Sequence, residues 1–258
     1  MGNSLKKERR GGRTDRGPEG MPDKSIMLTV PRFEQPDDVT CGPTCLAKVY
    51  QYYGVSRPLE EVIAEIPRNP DGGTLAVNLG ISALQYGFRP TIYPFGLRVF
   101  DPTWRRLSRD MLVAKLRKRA RAVEKRRLTR AVQAHAEFLQ LGGRVRFTEL
   151  TAKLLISILR RGHPILTGLS ATYLYGTARE RDDRYDDVGG RSAGHFVVVC
   201  GYRPRSTGFV ITDPFRNVPL SRTGRYTIKA ERLIAAILLG DQTYDAVLLT
   251  LGARRGGT

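Results

Sequence analysis

The chain has 258 residues, 41% of them hydrophobic, and a formal net charge of +18. That length supports one sizeable domain or two small ones, and the apolar content is that of a globular protein. Three cysteines are too few for a disulfide scaffold, and the longest apolar runs, 196–200 and 233–239, are far too short to span a bilayer.

Residues 1–25 read as a disordered, Gly-rich basic tail. They lack the apolar core of a secretory signal, so a cytoplasmic protein is expected. Residues 25–33 form a short strand or extended lead-in. A helix follows over 43–53, with Pro43 tolerated in its first turn and Gly54 at its end. A short helix over 59–65 and a turn at Asn69-Pro70-Asp71-Gly72-Gly73 lead to a third helix over 75–86, closed by Gly87. Residues 89–94 read as a strand.

A long helix, open to a break, is expected over 104–141. Leu112, Leu116, Ala120, Val123, Leu128, Val132, His135 and Phe138 recur there at helical spacing. The opposite face is basic, with Arg117-Lys118-Arg119, Arg121 and Lys125-Arg126-Arg127. Another helix is expected over 151–161. The character then changes: 164–169, 195–202, 208–212, 225–228 and 244–251 are rich in Val, Ile, Leu and Tyr and read as antiparallel strands. A short helix over 230–239 interrupts them. Residues 175–193 make a polar loop long enough to suggest function. Helices first and strands after give an α+β fold, expected as one unit over 26–258, its helical half ending near 162 and its sheet half running from about 163 to 252.

The segment Gln35-Pro-Asp-Asp-Val-Thr-Cys41-Gly42-Pro43-Thr44-Cys45 puts a cysteine at the start of a helix, six residues after a glutamine. Helix-terminal N–H groups and the helix dipole favour thiolate over thiol at such a position, and a glutamine amide can donate to an oxyanion. Gly194-His195-Phe196-Val197-Val198 and Ile211-Thr212-Asp213-Pro214 come much later. They supply the base and the orienting acid that a cysteine nucleophile requires.

A helical half carrying Cys, followed by a sheet half carrying His and then Asp, resembles the papain-like cysteine peptidases. Gln35-x5-Cys41-Gly42-x2-Cys45-Leu46-Ala47, then Tyr52-Tyr53-Gly54, is similar to the N-terminal motif of the bacterial double-glycine leader peptidases that process bacteriocin precursors. Gly194-His195-Phe196-Val197-Val198, with Asp213-Pro214 eighteen residues on from the histidine, resembles that family's second half. The resemblance covers about residues 28–251 and fits a stand-alone relative, without the transporter or ATP-binding cassette of the best-known members. The 104–141 helix looks like an insertion. The resemblance implies a papain-like fold with Cys41 as nucleophile, His195 as base and then acid, and Asp213 holding the imidazole through its other ring nitrogen. Gln35 would donate to the oxyanion, with the backbone N–H of Cys41. It also implies a peptide or protein substrate and no metal or organic cofactor.

Other readings are kept beside this one. The same three groups serve thiol acyltransferases, of transglutaminase or phytochelatin-synthase type. A binding module acting through the basic helix would need none of them. That helix is read first as a solvated amphipathic face, and second as a contact for nucleic acid or an acidic partner. Cys45 and Cys200 read as packing residues, His135 as a core histidine, His163 as an exposed turn residue, and Asp37 and Asp38 as a solvated turn.

Overall fold

Alternate residues of the apolar run 196–202 are buried on opposite sides of one sheet, which explains why the run is continuous rather than alternating. The computed structural model describes residues 24–70, 72–182, 184–240 and 246–254. The basic tail expected over 1–25 therefore lies, except for Lys24 and Ser25, outside the described residues.

The strands are β1 (Ile26–Met27), β2 (Arg89–Pro94), β3 (Arg144–Val145), β4 (Ile165–Ser170), β5 (Glu180–Arg181), β6 (Arg184–Tyr185), β7 (Gly194–Arg203), β8 (Gly208–Thr212), β9 (Arg225–Lys229) and β10 (Val247–Gly252). Eight of them form one sheet in the order β3-β2-β10-β4-β7-β8-β9, with β1 also paired to β7. Its pairings are antiparallel except for β2 with β3. β5 and β6 make a separate hairpin. The sheet is thus not confined to the second half of the chain, because β2 inserts beside the last strand, β10.

The helices are α1 (Cys41–Tyr52), α2 (Leu59–Glu65), α3 (Ala76–Gln85), α4 (Arg109–Ala122), α5 (Arg126–Gln140), α6 (Ala152–Arg160), α7 (Ala171–Tyr175) and α8 (Ala230–Leu239). Buried residues of α1, α3, α4 and α5 pack with Ile92, Leu166, Phe196, Val198 and Leu249 on one face of the sheet. Those of α6 and α8 pack with Ile165, Val197, Val199 and Leu248 on the other. A bulge between Val199 and Gly201 resets the alternation, so that Tyr202 joins Val197 and Val199 on the second face. The result is a mixed α+β architecture, a central sheet covered on both sides.

α1 is the central helix. Residues Gly42 to Tyr50 are all buried, and Gly54 ends the turn after it with φ +78°, a conformation glycine adopts without steric cost. The single helix expected over 104–141 is two. Val123 and Lys125 are extended (ψ 133° and 112°), and α4 and α5 fold back on each other as a hairpin. A straight helix of that span would be about 57 Å long. Only folding back lets Leu112, Val113 and Leu116 of α4 and Ala131, Val132 and Phe138 of α5 bury in the same core. Among the described residues no helix is long and apolar enough to cross a membrane.

Candidate active site

The N-terminus of α1 abuts the start of β7. A Cβ built on Gly42 would sit 3.3 Å from the ring of Phe196, so the residue after Cys41 is small where helix and strand approach most closely. One turn on, the Cys45 thiol donates to the Phe196 carbonyl at 3.3 Å. These contacts bring Cys41, which is partly exposed, to His195, which sits opposite Leu169 of β4. Cys41 lies close enough to the His195 imidazole to favour its charged form.

The other side of that imidazole meets a fully buried carboxylate. His195 Nε2 lies 2.8 Å from Asp213 Oδ1, which leaves Nδ1 as the ring nitrogen for Cys41. Asp213 follows β8, and its backbone N–H donates to Gly224 O at 2.8 Å. Its carboxylate is saturated: Oδ1 also accepts from Phe215 N–H at 3.0 Å, and Oδ2 accepts from the hydroxyls of Tyr226 at 2.7 Å and Tyr175 at 2.8 Å. The imidazole ring lies between Tyr175 and Phe215, with centroids 6.1 and 6.2 Å away.

Burial alone would lower the His195 pKa. The adjacent Asp213 carboxylate, by charge and by hydrogen bond, and then Cys41 outweigh that, and the pKa is pushed up to about 10. Burial works against ionisation of Asp213 as well. The His195 charge and hydrogen bond, the Phe215 N–H and the Tyr226 hydroxyl overcome it and hold the carboxyl below its usual range. Both shifts favour the charged forms, an imidazolium against a carboxylate. Tyr175 and Tyr226 are pushed well above a free phenol, by burial first and then by the Asp213 charge, so both remain hydrogen-bond donors.

Gln35 is buried and reaches the site from the lead-in segment. Its backbone N–H donates to Pro214 O at 2.9 Å, tying it to the residue after Asp213. Its side-chain Nε2 donates to Asp37 O at 2.8 Å, which leaves its second N–H available. Its Oε1 is buried without a partner among the described residues. Gln35, Tyr175, His195 and Phe215 line one cleft of about 340 Å³. Glu180 and Tyr185 of the β5–β6 hairpin line it too, so the polar loop of 175–193 borders the site.

The structure thus brings together all four residues singled out from the sequence. Tyr175 and Tyr226 were not foreseen. No motif marks them, and their role follows only from α7 and β9 converging on Asp213. Outside the site, Cys45 and Cys200 are fully buried. His135 binds Ala131 O through Nδ1 at 2.8 Å and stacks edge-on with Phe100, as a core histidine should. His163, expected to be exposed, is half-buried, with Nδ1 2.9 Å from the Tyr53 hydroxyl, because the turn after α6 packs against the end of α1. Asp37 Oδ1 accepts from Val39 N–H at 3.0 Å in an exposed turn, as expected. Among the described residues no three His, Cys, Asp or Glu side chains converge as a metal-binding group.

No family model matches the chain, and no curated protein matches it. Solved structures do. The chain is similar to a C39-like peptidase from Bacillus anthracis, at 16% identity and a TM-score of 0.46, covering 91% of this chain and 100% of that one. It is similar to xylellain, a cysteine protease from Xylella fastidiosa, at 14% identity and a TM-score of 0.46, covering 90% and 86%. It is also similar to a double glycine motif protease from an AMS/PCAT transporter, solved with its leader peptide, at 18% identity and a TM-score of 0.42, covering 88% and 93%.

Proposed function

We propose that this chain is a papain-like cysteine peptidase that hydrolyses a peptide or amide bond through a thioester on Cys41. The observation that carries the reading is one imidazole held between a buried carboxylate, 2.8 Å from Nε2, and a cysteine at a helix N-terminus. That is the arrangement a thiol nucleophile requires.

In this reading His195 takes the Cys41 proton, and the thiolate–imidazolium pair so formed is the reactive species. The thiolate attacks the substrate carbonyl, forming the C–S bond and placing charge on the carbonyl oxygen. The free N–H of Gln35 and the backbone N–H of Cys41 donate to that oxygen. Collapse of the intermediate breaks the C–N bond, and the imidazolium gives its proton to the leaving amine. The now neutral imidazole takes a proton from water, whose oxygen attacks the thioester. Release of the carboxylic acid restores the thiolate and the imidazolium. Asp213 keeps its charge throughout and fixes the ring, while Tyr175, Tyr226 and the Phe215 N–H fix Asp213.

Alkylation with limiting iodoacetamide, mapped by peptide mass spectrometry, tests the pair before any substrate is known. Cys41 is expected to react faster than Cys45 and Cys200 below pH 8, and His195→Ala is expected to remove that advantage. Equal, slow labelling of all three cysteines in both proteins would overturn the assignment.

A further inference from the structure

A second cleft lies at the opposite edge of the sheet, bounded by β3, the ends of β2 and β10, the start of α4 and the turn after α6. Its volume is about 400 Å³. Four guanidinium groups line it: Arg109, Arg144, Arg146 and Arg161. They come from three separate stretches of the chain, 109, 144–146 and 161, so the charge is assembled by the fold and is not the run of basic residues on α4. No acidic side chain is among the lining residues, and all four arginines are exposed, without a side-chain hydrogen bond or ion pair among the described residues. Arg57, by contrast, answers Glu61 at 2.7 Å and Glu65 at 2.6 Å.

The positive field reaches inward. His163, which also lines the cleft, has its pKa lowered by burial and then by the charges of Arg161 and Arg144. The floor differs from the rim. Leu112, Leu139 and Tyr93 are buried there, and Thr91 and Thr250, paired across β2 and β10, present hydroxyl side chains. A concave cationic site with low-dielectric walls concentrates anions. Guanidinium forks match phosphate oxygens two at a time, with a geometry that ammonium groups lack.

We propose that this cleft binds a di- or triphosphate group carried by a small molecule. Four guanidinium groups around one cleft suit a ligand with three or four negative charges, and a single phosphate would leave two of them unanswered. The site stands apart from Cys41 and His195 and does not depend on the proposed peptidase activity.

Titration calorimetry of the full chain, at a fixed ionic strength of about 0.15 M, tests the proposal with two probes: sodium tripolyphosphate and ATP. One molecule of tripolyphosphate is expected to bind per chain, with Kd on the order of 10 µM. Tighter binding of ATP would mean that the nucleoside uses the apolar floor; equal binding would mean that the phosphates alone are recognised. The double variant Arg144→Gln/Arg161→Gln is expected to weaken binding at least tenfold. Arg117→Gln/Lys118→Gln removes the same charge from the outer face of α4 and is expected to change it less than twofold. All four side chains are exposed, and thermal unfolding of each variant checks that the fold persists. No saturable binding by the wild type, or equal weakening in both double variants, would overturn the site, because the attraction would then be that of a +18 chain as a whole.

Discussion

The Tyr175 hydroxyl donates to Asp213 Oδ2 at 2.8 Å across 38 residues of chain. It connects the loop bordering the cleft to the buried acid that holds the imidazole. Tyr226 donates to the same oxygen at 2.7 Å from β9. The His195 charge and hydrogen bond, then the Phe215 N–H and the Tyr226 hydroxyl, hold Asp213 below its usual range although burial alone would raise it.

Removing one of these donors is expected to act through pH. Tyr226→Phe leaves the ring and deletes the hydroxyl, so the Asp213 pKa rises and the acid limb of kcat/KM moves to higher pH. A hydrogen bond to a charged group contributes about 1.5–3 kcal/mol, and Phe215, His195 and Tyr175 still hold Asp213. The loss at the pH optimum is therefore expected to be only about three- to tenfold. A pH profile of kcat/KM decides it, since a purely structural role would scale the whole profile without moving its acid limb.

Gln35 is expected to matter for the rate and not for the nucleophile. Gln35→Met keeps about the same length, adds no charge and removes the N–H proposed to serve the oxyanion, and loss of such a donor costs about 10²–10³ in kcat. The rate of Cys41 alkylation at neutral pH should stay within a few-fold of wild type, because iodoacetamide forms no oxyanion. If alkylation fell in step with kcat, Gln35 would instead be supporting Cys41 or the α1 start.

Most helices and strands were legible in the sequence, α7 (Ala171–Tyr175) being an exception, and the four candidate site residues were proposed from it for a separate, chemical reason. α8 and β8 are found where the pattern puts them, because apolar periodicity and flanking turns define them locally. Cys41, His195, Asp213 and Gln35 were visible because the chemistry demands those side chains. Tyr175 and Tyr226 were not, since any aromatic residue reads as core until the strand register is known. A break in the 104–141 helix was left open, but its place was hidden: 123–125 contains neither Pro nor Gly, and only the need to bury two apolar stripes in one core creates it. Nor could the arginine cleft be read, because its residues meet only after β2 joins β10 and β3.

The β5–β6 hairpin borders the catalytic cleft through Glu180 and Tyr185. Replacing residues 180–187 by a short Gly-Ser turn is expected to raise KM for peptide substrates several-fold. The alkylation rate of Cys41 by a small reagent should be unchanged. An unchanged KM would show that the hairpin does not contact the substrate.

Stability should respond to pH through His195 with a defined sign. Its folded pKa, about 10, lies above the ordinary value of 6.5. Its contribution is fully present below 6.5 and is lost as pH rises through about 10. Asp213, whose pKa is lowered from 3.8, contributes above that value and loses its contribution as pH falls through its folded pKa. Urea midpoints of wild type and His195→Gln are therefore expected to differ most near pH 6 and to converge towards pH 10. A difference that grew with pH would contradict the imidazolium–carboxylate pair.

Lys48 carries a cost of the opposite kind. It lies on α1 two turns beyond Cys41, fully buried, and its Nζ has no hydrogen-bond partner among the described residues. Burial lowers its pKa, and the charges of Cys45 and Asp213 only partly offset that. A buried ammonium without a partner is destabilising. Lys48→Met keeps the length and flexibility of the side chain and removes the charge, so it is expected to stabilise the fold by about 1–3 kcal/mol at neutral pH. The sign of the pH dependence follows: the unfolded lysine holds its proton up to 10.5, the folded one releases it earlier, and the advantage of methionine should shrink as pH approaches that value. Urea unfolding at pH 7 and pH 10 measures both. A loss of stability at pH 7 would mean that the Lys48 charge contributes more to holding Asp213 ionised than its burial costs.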